Sequence, residues 1–115
     1  MISRGRARMD RRTKNLVQRL KKGDIAIIDH DDIDEVAANS LIDIRPQAIV
    51  NVQESITGRY SARGAYKILK AGIPILDNVG DEIFGMVREG SWLEIRYNEL
   101  YWGDKLVAKG NLLTL

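Results

Sequence analysis

The chain has 115 residues, 44% of them hydrophobic and 30% charged, and no cysteine. That length predicts one domain with a real core, and the missing cysteines exclude disulfides and thiolate metal sites. No apolar run approaches the roughly 20 residues of a membrane span, and the N-terminal arginines lead into no apolar run of the kind a secretory signal needs.

The net charge of +2 is unevenly distributed. Residues 1–22 hold nine of the 18 basic residues and one of the 16 acids, so a segment of charge +8 precedes a body of charge −6. Such a basic arm either contacts nucleic acid, anionic lipid or an acidic partner, or docks on its own acidic domain. Met1 to Met9 has few apolar anchors and is expected to be disordered. From Asp10, the spacing of Leu16, Val17 and Leu20 predicts a short amphipathic helix. Lys21-Lys22 and Gly23 supply its stop.

Asp24 to Ile28 is apolar on both faces, as in a buried strand. In the acidic stretch that follows, Asp31 or Asp32 is expected to cap a helix whose inner face is Ile33, Val36, Ala37, Leu41 and Ile44. Arg45-Pro46 ends it. Ala48 to Val52 then reads as a strand, Gln53 to Tyr60 as a polar loop and Ser61 to Ala71 as a helix stopped by Gly72. Ile73 to Leu76 reads as a second strand of the same parallel pair, ending on Asp77. A short helix is expected from Asp81 to Val87. From Ser91 the texture changes to short alternating runs separated by turns at Glu89-Gly90, Asn98-Glu99 and Gly103-Asp104, an antiparallel meander. The last residues, Asn111 to Leu115, are apolar without a stop signal, so residues 111–115 are expected to begin a linker to a further domain.

Parallel strands with helices predict ligands at the carboxyl ends of the strands. The candidate site residues there are Asn51, Ser55, Thr57, Gly58, Arg59 and Tyr60 in one loop, with Asp29, His30, Asp77 and Asn78 beside it. His30 is the only histidine. One nitrogen ligand does not make a zinc site, and the neighbouring acids lack the glycine and distal glutamate of a calcium loop. The phosphate-loop and dinucleotide glycine patterns are absent, and no serine stands in a nucleophile context with His30. Ser55, Thr57, Gly58 and Arg59 before a helix could still hold an anion, or could simply shape the loop. Trp92, Tyr97, Tyr101 and Trp102 either stack on bases or pack on a sheet face.

Two resemblances arise from these runs. The order GDIAII, helix, AIVN, polar loop, helix, AGIPIL and GDEIFGMVREGSWLEI resembles the swivelling β/β/α domain of phosphoenolpyruvate-utilising enzymes. That family carries a phosphoryl-accepting histidine in the loop after the second strand. The aligned loop here, Thr57 to Ala62, has none, so the resemblance implies the shape and not the phosphotransfer. The second covers nearly the whole chain: DRRTK, GDIAIIDH and SITGRY together look like the amino-terminal part of the SteA family, bacterial proteins related to thiamin pyrophosphokinase. The resemblance implies a longer protein, with a pyrophosphokinase-like domain and a hydrophobic carboxyl-terminal anchor. It also implies a place in cell division and cell separation beside a coiled-coil membrane partner.

The resulting expectation is an α/β domain of swivelling β/β/α type, a mixed sheet with a parallel βαβ core and a C-terminal antiparallel meander. Residues 1–22 would be the arm and short helix, 23–110 the domain and 111–115 the linker. The expected function is non-catalytic binding or scaffolding at the cytoplasmic face of the membrane, with no cofactor in this chain and a protein partner. The alternative is an accessory role in a nucleotide or pyrophosphate site, with ATP and Mg bound by the full-length protein; nucleic-acid binding through the arm is the weaker one.

Overall fold

A computed structural model of the chain describes residues 2–60 and 62–115. Eight strands form one mixed sheet in the order β7-β6-β5-β1-β2-β3-β4-β8. Strands β1 (Ile2–Met9), β2 (Ile25–Ile28), β3 (Ala48–Asn51) and β4 (Ile75–Asp77) run parallel. Helices α1 (Thr13–Leu16), α2 (Glu35–Ile44) and α3 (Arg63–Lys70) connect them in sequence. Each crossover steps the same way along the sheet, and right-handed crossovers then place all three helices on one face. Helix α4 (Ile83–Met86) follows β4, and β5 (Trp92–Arg96), β6 (Glu99–Trp102) and β7 (Lys105–Lys109) form the antiparallel meander.

Alternate residues of the central strands feed two apolar layers, as the period of two requires. Ala26, Ile28, Ile49 and Ile75 pack with Leu41 of α2 and Ile68 of α3. Ile25, Ile27, Val50 and Leu76 pack on the opposite side with Ile83, Leu93, Ile95 and Leu100, from α4 and the meander. The sheet thus carries helices on one face and its own meander on the other.

The largest departure from the sequence reading is the N-terminus. Residues 2–9 are strand β1, set between β2 and β5, and not a disordered arm. Ser3, Gly5 and Ala7 point inward while Ile2, Arg4 and Arg6 are exposed. The arginines dock on the domain's acids: Arg4 pairs with Glu94 at 2.5 Å and Arg8 with Asp24 at 3.2 Å. Gly5 is required by close approach, since a Cβ there would lie 2.5 Å from the Gly23 carbonyl oxygen.

Other differences are local. Helix α1 spans one turn, and Arg19, beyond its end, pairs with Glu89 at 2.6 Å and Asp10 at 3.1 Å. The cap of α2 is Asp34, whose side chain accepts from the Ala37 N–H, and not Asp31 or Asp32. Val36, assigned to the inner face, is 78% exposed. The meander's first turn falls at Tyr97, with φ of 55°, one residue early. Trp92 and Tyr101 lie on the sheet's outer face, where Arg6 covers Trp92 and Arg96 covers Tyr101, whereas Trp102 pairs with Leu93 and Tyr97 stands exposed in the turn. Residues 111–113, expected as linker, are strand β8, paired antiparallel with β4. Met1 of the expected arm and Ser61, the expected first residue of α3, lie outside the described residues.

Candidate functional site

The carboxyl ends of β1 to β4 lie along one edge of the sheet, and all ten residues singled out in the sequence sit there or in the loops that leave it. They divide into a buried polar network and an exposed loop crest.

Asn51 ends β3 and is fully buried. Its Oδ1 accepts from the N–H groups of His30 and Gln53, each at 3.1 Å. Its Nδ2 donates to the His30 carbonyl and to Ser55 Oγ, each at 2.8 Å. One amide therefore ties the ends of β2 and β3 to the start of the loop, with its donors and acceptor all in use. Ser55, also fully buried, donates its N–H to both Asp77 carboxylate oxygens and its hydroxyl to Oδ1 at 2.6 Å. Asn78 donates its N–H to the Gln53 carbonyl and adopts a left-handed φ of 54°. These four residues fasten the loop to β4.

The far side of the loop is held by Asp32, which the sequence offered only as a helix cap. Its carboxylate accepts from the Thr57 N–H at 2.8 Å and from the Thr57 hydroxyl at 2.8 Å. The Thr57 N–H, then its hydroxyl and the charge of Arg59, hold the Asp32 carboxyl below the usual range. Beyond the loop, α3 begins against the backbone of the β2–α2 turn. A Cβ on Gly64 would lie 2.2 Å from the Asp34 carbonyl oxygen, so only glycine admits this contact. Between these anchors Gly58, Arg59 and Tyr60 are exposed, and Arg59 forms no ion pair among the described residues.

Asp29 and His30 face the other way, toward α1. Asp29 accepts from Gln53 Nε2 and Arg11 Nη1, each at 2.9 Å. Arg11 also bonds Asp81 at 2.5 Å and lies over the Phe84 ring. The hydroxyl of Thr13 lies 3.2 Å from His30 Nδ1, and Asp34 Oδ2 lies 3.6 Å from Nε2. The His30 ring is thus oriented through Nδ1, while Asp34 stands beside Nε2 beyond hydrogen-bond reach. A cleft of about 710 Å³ opens here between α1 and α2, at the ends of β1 and β2. The sequence reading expected a helix from Asp10 but not its place beside His30, because it took Met1 to Met9 as disordered and not as the strand that carries α1 to the sheet's edge. No group of three or more His, Asp or Glu side chains converges as a metal site among the described residues.

No protein-family model matches the chain, and no curated protein matches its sequence. Among solved structures it is similar to 3-isopropylmalate dehydratase from Methanocaldococcus jannaschii. The TM-score is 0.59 at 14% identity, over 100% of this chain and 83% of that one. At that identity the likeness is one of fold. The chain is an α/β domain with a mixed sheet and a parallel core. No helix among the described residues is long and apolar enough to cross a membrane.

The network makes a testable demand on Asp77, which is only 5% exposed. Burial pushes its carboxyl above the usual range, against the opposing pull of the Ser55 hydroxyl, the Ser55 N–H and the Asn78 N–H. A folded-state pKa above the unfolded one means that the native state holds the proton longer. Ionising Asp77 therefore costs stability as pH rises from the ordinary carboxylate range through the folded pKa, and the cost is constant above it. Urea denaturation of wild type and Asp77→Asn should show wild type losing ground to the variant across that window. A pH-independent difference would contradict it. Asp77→Ala strands two buried donors of Ser55 and should cost about 3 kcal/mol.

Proposed function

We propose that this chain is a non-catalytic binding and scaffolding domain of swivelling β/β/α type, from a SteA-like protein of bacterial cell division and cell separation. The SteA reading rests on the runs DRRTK, GDIAIIDH and SITGRY; the β/β/α reading is supported by the two apolar layers, helices on one face of the sheet and meander on the other. The observation that carries the binding role is the division of labour at the strand ends. Asn51, Ser55 and Asp77, the groups most suited to chemistry, are spent on one another. Gly58, Arg59 and Tyr60 are held outward on the loop they anchor, with Tyr60 73% exposed. A rigidly footed loop with an arginine and a tyrosine at its crest suits recognition of a protein surface, where these residue types supply hot spots. The partner under this reading is the cytoplasmic part of a coiled-coil membrane protein of the division site.

Arg59→Lys tests it. Arg59 makes no ion pair among the described residues, so folding should change by less than about 0.5 kcal/mol. A lysine cannot reproduce the two parallel hydrogen bonds of a guanidinium on a carboxylate. Co-purification of the coiled-coil partner should therefore fall while the thermal melt holds. Partner binding unchanged by both Arg59→Lys and Tyr60→Ala would reject the loop as the contact. Binding of ATP and Mg at this loop, lost in the same variants, would instead favour an accessory nucleotide site.

A further inference from the structure

We propose that the exposed face of α3, together with the loop crest that precedes it, docks an acidic helical segment of a partner protein. Residues 55–76 hold four basic side chains and no acid, within a body of net charge −6. The fold gathers those charges on one side. Arg63, Lys67 and Lys70 recur at intervals of four and three along α3, so they share one face of the helix, and Arg59 stands on the loop that leads into it. All four are exposed. Two acids lie against this group. Glu35 of α2 is 3.2 Å from Lys67 and 3.9 Å from Arg63, and Asp32, near Arg59, has its oxygens taken by Thr57. Four cations against two carboxylates leave an excess of +2, and Arg59 and Lys70 form no ion pair among the described residues.

Two tyrosines are set among these charges. Tyr60 stands on the loop crest, and Tyr66 on α3 is 56% exposed, with Lys70 Nζ 5.5 Å from its ring centre. Tyrosine beside arginine is the pairing that contributes most to protein contacts. Arg63 and Lys70 lie about 10 Å apart along the helix axis, at 1.5 Å per residue. A helix carrying carboxylates at the same intervals of four and three therefore meets all three cations of α3 at once. A membrane surface suits this face less well. The apolar side of α3, with Ala65 and Ile68, is buried in the core, and none of the helix's aliphatic side chains is exposed to enter lipid. An excess of two charges also neutralises too few phosphates to hold a nucleic-acid backbone.

The inference deepens the reading of the Gln53 to Tyr60 loop as a partner contact and rests on that reading only for Arg59 and Tyr60. The intact chain, labelled with ¹⁵N, is titrated at low salt with an alanine-rich helical peptide carrying glutamates at intervals of four and three. The same peptide with glutamine in their place is the control. Saturable shifts at Arg59, Tyr60 and α3 are expected, with a dissociation constant of about 1 mM or below that rises with added salt. The glutamine peptide should bind about tenfold more weakly. Arg63→Gln combined with Lys70→Glu changes exposed side chains alone, and should weaken the glutamate peptide about tenfold with no change in melting temperature. If this double variant weakens binding while Arg59→Lys and Tyr60→Ala do not, the α3 surface stands and the loop drops out of the contact. Absence of shifts at α3, equal binding of the glutamine peptide, or affinity unaltered in the double variant would overturn the proposal. So would tighter binding of a single-stranded oligonucleotide or of phosphatidylserine vesicles at the same residues.

Discussion

Removing residues 2–9 should leave a chain that does not fold. Those residues are β1, which supplies the parallel partner of β2 and the antiparallel partner of β5. Without it the helix-linked strands and the meander share no ladder, and the apolar layer between them loses its link at Ala7. The expected result is loss of amide dispersion and of a cooperative thermal transition. The charges contribute little by comparison: the Arg4–Glu94 pair is exposed, and such pairs contribute about 0–1 kcal/mol. Replacing Arg4 and Arg6 with serine should therefore preserve folding while the deletion does not. A cooperative melt in the truncated chain would show that β5 can pair with β2 directly, and that β1 is dispensable.

Ile49→Ala should cost about 2–5 kcal/mol, the range for deleting a fully buried aliphatic side chain. Ile49 is inaccessible to solvent, and β3 lies between β2 and β4, so neither neighbour can move in to fill the space without breaking a parallel ladder. Its side chain belongs to the layer under α2 and α3. Domains of this size have total stabilities of about 5–15 kcal/mol, so the variant should unfold at a clearly lower urea concentration with an unaltered slope. Ile49→Val, which removes one methylene, should cost about 0.5–1.5 kcal/mol. Equal stabilities for all three proteins would mean that β3 does not occupy the centre of this layer.

The elements with strong periodicity were legible in the amino-acid sequence. IAII and the AIV of β3 are apolar at every position because both faces of their strands are covered, and they lie where the sequence places them, as do the meander and the helices after β2 and β3. The candidate residues at the strand ends were legible for the same reason, since a polar side chain directly after a fully buried strand must lie at the sheet's edge. What the tertiary structure alone decided was how those residues are used. Asn51, Ser55 and Asp77 are spread over 27 positions of sequence, and only the pairing of β3 with β4 makes them one hydrogen-bonded unit. The same holds for β1. Its alternation is present in the sequence, but its inward residues are serine, glycine and alanine, which carry almost no hydrophobic signal. At Gly5 the smallness answers a neighbour, the backbone at Gly23, that it meets only when the sheet assembles. A strand whose inner face is shaped by close approach and not by apolar burial gives no pattern to read, and its outward arginines then look like a charged arm.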